Sequence, residues 1–340
     1  MLTDKQLEQI RKELKECSRP LFFFHDDPDG LCSYLLLYRY IKEGKGVCVK
    51  STPKLDMKFY YKVEEYQPDK IFVLDLAMVE QEFVDKCKVP IIWIDHHEPQ
   101  DNTNVKYFNP RLNGSNVPTT YMCYQVVEQD LWIAMAGTVA DWHLPDFKKE
   151  FSEKYPDLFD NKIDDVEEAL FNTKLGDVIK IIAFVIKGKT SDVNKAIKLL
   201  TKIDSPYKLL NPDDDELRIL DKRAKKIKEI YDDLLSQALK LKPDRNVLLF
   251  EYQDDKVSVT KELSNEIQYN FKDELIIICR EKSGEMKCSL RARNYNIPDL
   301  FDKTLNGLEA RGGGHEHACG LVIKKEDFQE FLDRIKDALQ

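Results

Sequence analysis

Four short apolar runs punctuate the first hundred residues: LFFFH at 21–25, VCVKS at 47–51, IFVLD at 71–75 and PIIWID at 90–95. Each is near-continuous in apolar character rather than alternating, the pattern of a strand buried on both faces. The stretches between them carry charge and helical spacing. Thr3 with Gln6 makes a capping box that opens a helix reaching about Cys17. GLCSYLLLYRYIKEG at 30–44 reads as a second helix, closing at Gly44. Strands that alternate with helices predict an α/β fold, a mostly parallel sheet with helices on both faces.

Residues 117–141 read as two more helices ending at TVADWHLP, and about 147–205 as a charged helical extension of the first domain. One long amphipathic stretch between Pro212 and Pro243 predicts a connector helix over 211–242. Beyond it NVLLFEY, ELIIICR and MKCSLRAR read as strands, and IPDLFDKTL and the last fifteen residues as helices. These make a smaller α+β domain over 243–340, apart from the first domain at 1–210. Length points the same way, because 340 residues exceed what one core usually organises.

Composition narrows the class. An apolar fraction of 42% with 33% charged residues excludes a disordered chain. No run of eighteen apolar residues offers a membrane span, and the charged N-terminal helix lacks the apolar core of a secretory signal, so the expected location is the cytoplasm. The eight cysteines form no Cys-x-x-Cys pair; this argues against a structural zinc site and casts most of them as small core residues. A net charge of −9 argues against a broad basic surface that coats duplex DNA. It leaves a local anion site open, since bound metal ions reverse the sign of a pocket.

Three of the apolar runs end in carboxylate and imidazole. The first delivers His25, Asp27 and Asp29, the second Asp75, and the third Asp95, His96 and His97; Asp141 follows the apolar helix WIAMAGTVA. An aspartate at a strand end is more often a turn or cap residue than a ligand. Three such endings with histidines attached are harder to explain that way, and ligands of open α/β sheets bind at the carboxyl ends of the strands. Carboxylates mixed with imidazole and no thiolate suit Mn2+, with Mg2+ or Co2+ as alternatives. Two such ions about 3.5–4 Å apart can hold the attacking and leaving oxygens of a phosphoryl group, which points to hydrolysis of phosphate esters.

The C-terminal domain adds a complementary pattern. In MKCSLRAR, strand alternation buries Met286, Cys288, Leu290 and Ala292 and presents Ser289, Arg291 and Arg293 on the other face. Gly312, Gly313 and Gly314 lead into His315, and three successive glycines permit a nest of backbone N–H groups that grips an anion. His143 and His317 read as surface or hydrogen-bonded histidines. Trp142, Tyr295 and Phe301 could stack on bases, but aromatic residues beside apolar runs are usually core, and they are assigned no role.

HDDPDG, IFVLD, IDHHEP and AGTVAD, followed by SLRAR and ARGGGHEHACG, resemble in order the motifs of the DHH phosphoesterase superfamily and its associated C-terminal domain. The resemblance implies metal ligation by His25, Asp27, Asp29, Asp75, His96 and Asp141, with Asp75 as the bridge. It implies that His97 lies close to the phosphate with Asp95 supporting it, and that Arg291, Arg293 and His315 hold the substrate's phosphate across a cleft that closes. GTVAD is similar to RecJ-type single-strand exonucleases and their archaeal relatives. NanoRNase-type members usually carry a further aspartate where this chain has Leu31. Two features depart from bacterial RecJ: His25 stands where an acidic residue is usual, and 340 residues leave no room for the extra nucleic-acid-binding domains. The resemblance therefore implies a Mn2+-dependent exonuclease acting on single-stranded DNA, RNA or short oligonucleotides. The alternatives are a nanoRNase or phosphoadenosine-phosphate phosphatase, a cyclic-dinucleotide phosphodiesterase, and, last, a non-catalytic replication scaffold. Replication or repair proteins are the expected protein partners.

Overall fold

The computed structural model describes residues 1–50, 54–253 and 257–339. Ser51, the last residue of the second apolar run, and Gln340 lie outside them. The chain divides into two compact units, Met1–Lys222 and Arg223–Gln340.

The first unit is built on a five-stranded parallel sheet. Its strands are β1 (Pro20–His25), β2 (Lys45–Val49), β3 (Lys70–Leu74), β4 (Ile91–Ile94) and β5 (Lys106–Phe108), in the spatial order β2-β1-β3-β4-β5. The chain leaves β1 for β2 on one side and returns to β3 on the other. That reversal opens a crevice at the carboxyl ends of β1 and β3, where a doubly wound sheet binds its ligand. Both sheet faces are apolar, as the near-continuous runs predict. Leu21, Phe23, Val73 and Trp93 pack on one face with Phe83. On the other, Phe22 and Phe24 meet Tyr34 of helix α2 (Pro28–Ile41), with ring centroids 5.4 and 4.7 Å apart.

Helix α1 (Asp4–Lys15) opens with the Thr3–Gln6 capping box, both hydrogen bonds formed. Helix α2 stops three residues before Gly44: Lys42 takes the left-handed conformation at φ 59° and its N–H returns to the Tyr38 carbonyl. Gly44 is still required. It sits at φ 109°, and a Cβ there would lie 2.6 Å from the Pro20 carbonyl oxygen. Helices α3 (Thr119–Val127) and α4 (Leu131–Ala140) pack on α2 and lead to the helical extension, whose longer members are α5 (Lys174–Val185) and α6 (Thr190–Leu200). Arg39 of α2 ties these parts together. Its guanidinium grips the Asp130 carboxylate at 2.8 and 2.7 Å and donates to the carbonyls of Thr201 and Ile203 at 3.0 and 2.8 Å. Helix α7 (Asp215–Ala238) follows, and the division between the units falls inside it.

The second unit carries β6 (Val247–Tyr252), β7 (Leu275–Lys282), β8 (Glu285–Arg291), β9 (Ala310–His315) and β10 (Ala318–Lys324) in the order β9-β10-β8-β7-β6, antiparallel except for β6 with β7. Helices α9 (Ile297–Thr304) and α10 (Lys325–Ala338) cover one face, around Ile277, Leu290, Leu321, Phe331 and Ile335. Helix α8 (Thr260–Asn270), which the hydropathy pattern does not announce, packs over β7 and β8 on the other.

Three expectations change here. Met286, Cys288, Leu290 and Ala292 are buried as alternation requires, yet Ser289 and Arg291 are also buried, at 7% and 8% exposure, because α8 covers their face. The glycine run is not a nest: Gly312, Gly313 and Gly314 lie in β9, the edge strand, and pair antiparallel with β10. Cys279 and Cys288, directly opposite across β7 and β8, are joined as a disulfide rather than standing as separate core thiols. Their Cα atoms are 4.1 Å apart. That spacing belongs to a non-hydrogen-bonded antiparallel pair.

Candidate metal centre

The first donors arise where β1 hands over to α2. Asp27 is the N-cap of α2, its Oδ1 accepting from the Gly30 N–H at 3.0 Å, and Pro28 occupies the first turn, where its missing N–H costs nothing. The helix starts so close to the strand that a Cβ on Gly30 would meet the His25 backbone at 2.6 Å. This handover gives His25 and Asp27 to one group of donors and Asp29 to another. His25 Nδ1 lies 3.0 Å from Asp27 Oδ2 and 3.4 Å from Asp75 Oδ2.

Asp75 follows β3 in the left-handed conformation at φ 57°, costly for a residue with a Cβ. A hydrogen bond from its N–H to the Ile94 carbonyl, 3.0 Å long, holds it there. From the end of β4, His96 Nε2 reaches Asp75 Oδ1 at 3.4 Å, Asp141 Oδ2 at 3.4 Å and Asp29 Oδ2 at 3.9 Å. Three groups of potential ligands result: Asp75 with His96 and His97, His25 with Asp27 and Asp75, and Asp29 with His96 and Asp141. Within each, the donor atoms lie no more than 4.8 Å apart. Asp75 and His96 are each shared by two groups.

His97 is oriented by Asp95. The fully buried Asp95 carboxylate accepts from the His97 backbone N–H at 3.0 Å and contacts its ring Nδ1 at 2.7 Å. Residues without a sequence signature hold this loop. Asn109 donates to the His97 carbonyl at 2.8 Å and Arg111 Nε to the His96 carbonyl at 2.7 Å. Asp29 is held by α3: both its oxygens accept backbone N–H groups, from Thr119 at 2.9 Å and Thr120 at 2.7 Å. Those donors are unpaired amides of a helix start, so only NVPTT, with proline just ahead of the helix, marks them in the sequence. His143 and His317 belong to none of the three groups.

Electrostatics show what the cluster needs. Asp27, Asp29, Asp75 and Asp95 are buried, none more than 6% exposed. Burial, with Asp75 and Asp141 nearby, pushes the Asp29 carboxyl well above the usual range. Burial by itself would lower His25 and His96; the surrounding aspartates, Asp27 and Asp75 for the first and Asp141, Asp75 and Asp29 for the second, raise both well above the ordinary histidine value. Asp75 stays lower despite burial and Asp27, because His25 and His96 hydrogen-bond to it. Without other cations, this cluster draws protons to balance its charge. An oxygen-and-imidazole set without thiolate fits divalent cations of the Mn2+ and Mg2+ kind.

In the second unit, strand register gathers the remaining candidates. Arg291, Ala318 and His315 form one row across β8, β10 and β9, and Ser289, Gly320 and Gly313 form the next. Residues directly opposite share a face, so both rows face the same way. Cβ atoms on Gly313 or Gly320 would have nothing within 4 Å, leaving bare backbone between the side chains. Gly314, at φ 149°, and Gly312, against the Phe301 ring, answer to local geometry instead. Arg291 donates through Nε to Asn265 at 2.6 Å and through Nη1 to Ser289 Oγ at 3.0 Å. Burial brings its pKa down to about 10. Arg293 lies beyond the end of β8, partly exposed.

Two family models match the chain: the DHH family N-terminal domain over residues 21–155 and the DHHA1 domain over 244–340. The chain belongs to the DHH family. Its DHH domain holds every donor of the three groups, and its DHHA1 domain holds the arginine and glycine rows. Solved structures share the DHH fold. RecJ of Thermus thermophilus in complex with Mn2+ matches at TM-score 0.71 and 14% identity, covering 99% of this chain and 55% of that one. This chain therefore spans about half the length of that RecJ. An exonuclease RecJ bound to manganese matches at TM-score 0.60 and 17% identity, covering 99% and 95%. A DHH domain from a protein described as a member of a family of ribosomal proteins matches at TM-score 0.67 and 17% identity, covering 99% and 90%. No curated protein matches the sequence.

Proposed function

We propose that this DHH family protein is a metal-dependent phosphodiesterase, an exonuclease that removes mononucleotides from single-stranded DNA or RNA and favours short chains. The observation that carries the reading is the sharing of Asp75 and His96 among three donor groups, which suits a pair of neighbouring cations better than one. His25, Asp27, Asp29, Asp75, His96 and Asp141 would hold two divalent ions, Mn2+ first, with Mg2+ or Co2+ able to replace it. Such ions, when bound, supply Lewis acidity to a phosphoryl group.

The chain's own residues do the rest. Asp95 fixes the His97 ring beside the donors, so that His97 can meet the phosphate or carry its proton. Ser289, Arg291, Arg293, Gly313 and His315 are the proposed substrate-binding residues of the second unit. The two registered rows support this, since the exposed His315 stands beside the bare backbone of Gly313 and Gly320, which a sugar-phosphate could approach closely. The exonuclease likenesses lean the same way: one solved relative of nearly this length is called an exonuclease.

The test is Mn2+-dependent digestion of end-labelled single strands, DNA and RNA, from two to about thirty nucleotides. An Asp29→Asn sample controls for contaminating nuclease. A ladder on long strands that disappears in the variant is the expected result. Cleavage confined to the shortest oligomers would replace the exonuclease reading with a nanoRNase one.

A further inference from the structure

Helix α4 ends in a way that its sequence should resist. The His143 N–H returns to the Thr138 carbonyl at 3.2 Å and the Trp142 N–H to the Val139 carbonyl at 3.0 Å. These paired bonds are a Schellman closure, and they place Trp142 at the position where glycine is usual. Trp142 accordingly sits at φ 60°, left-handed, with the bulkiest side chain available. A helix that needed only to stop would be better served by glycine.

The residue that bears this strain adjoins Asp141, a member of the donor groups. Trp93 and Trp132 are buried in the core, at 0% and 2% exposure, whereas Trp142 is only half-buried. Its ring meets Phe171 edge-on, centroids 6.3 Å apart, and the Lys180 ammonium stands 5.9 Å from the Phe171 centroid. An aromatic corner backed by a cation, one residue from the donor cluster, suits a flat, electron-rich, anion-bearing ligand. Strained non-glycine backbone at such a place commonly serves a site.

We propose that Trp142, supported by Phe171, stacks on the nucleobase whose phosphate is drawn to the donor cluster, and so makes the protein require a base as well as a phosphodiester. This rests on the phosphodiesterase reading for its substrate, and its test is separable from it. In Mg2+, which avoids quenching by paramagnetic Mn2+, a nucleoside 5′-monophosphate quenches the tryptophan fluorescence of the whole protein. Ribose 5-phosphate does not, and Trp142→Phe loses the response. In turnover, the ratio of kcat/KM for a dinucleotide to that for its abasic counterpart falls about tenfold in Trp142→Ala, and stays within about threefold of wild type in Trp142→Phe. Trp142→Gly keeps or raises Tm while losing base preference, since glycine relieves the backbone.

Three results would overturn the proposal: equal quenching by sugar phosphate, an unchanged ratio in Trp142→Ala, or a loss of Tm in Trp142→Gly that accounts for its lost activity. Failure of the wild type to cut either substrate would refute the phosphodiesterase reading alone, and the quenching titration would still decide the stacking.

Discussion

Asp75 shows how much one residue carries. It is buried, left-handed and shared between donor groups, so no neighbour can take its place. Asp75→Asn should abolish activity, by about a thousandfold or more, and weaken Mn2+ binding measured by calorimetry, with little change in the far-ultraviolet dichroism. The raised groups around it give a signed pH effect. Asp29, His25 and His96 all hold protons more tightly than usual when no metal is bound, and cations must displace those protons. Metal affinity should therefore rise with pH between about 6 and 8, and Mn2+ titrations in two buffers of different ionisation heat should register proton release. Equal heats in both buffers would refute this. At this scale the carboxylates and histidines were legible because strand ends announced them. Thr119 and Thr120 were not, since they act through amides that every residue but proline possesses.

Elements meet where side chains leave room. Gly137 of α4 faces α2 and α3, and a Cβ there would lie 2.4 Å from Thr120 Oγ1 and 2.6 Å from Cys32 Cβ. Gly137→Ala should cost about 1–3 kcal/mol in chemical denaturation and also weaken metal binding, because Thr120 holds Asp29. Helix α1 is fastened through Glu13, whose carboxylate meets Lys70 at 2.9 Å and Lys106 more closely still. Burial raises its pKa, but the two lysines outweigh that and leave it below the usual range. A depressed carboxylate stabilises the fold above its unfolded value and loses that contribution as pH falls through the folded one. Glu13→Gln should thus lower stability by about 1–2 kcal/mol at neutral pH, with the gap closing below about pH 4 in denaturation curves. Periodicity exposed α1, α2 and four of the five parallel strands, and passed over β5, whose three residues are too few to make a run. It missed what α8 covers, because strand alternation says which residues share a face and not whether a helix lies over it.

Two compact units, each with its own core, lead to an expectation for the whole chain. Calorimetry should resolve two unfolding transitions, and Mn2+ should raise only one of them, by mass action on the unit that holds the donors. Reduction of Cys279–Cys288 should lower only the other. A single transition that responds to both treatments would show that the units unfold together. The division into an α/β part and an α+β part was readable from the change in strand pattern near Pro243. That a helix joins the two parts was readable as well; the point inside it where the division falls was not, since α7 is amphipathic throughout and marks no boundary within itself.

The two amides on Asp29 also bear on which ions the protein rejects. Each of its oxygens has one lone pair already committed to an N–H, so the carboxylate is poorly disposed to chelate a cation with both oxygens at once. Calcium commonly fills its large coordination shell through such two-toothed carboxylates, whereas smaller octahedral ions accept one oxygen from each. In a cell where calcium surges as a signal, that arrangement would leave the centre indifferent, and Ca2+ should displace bound Mn2+ only weakly in a competition titration.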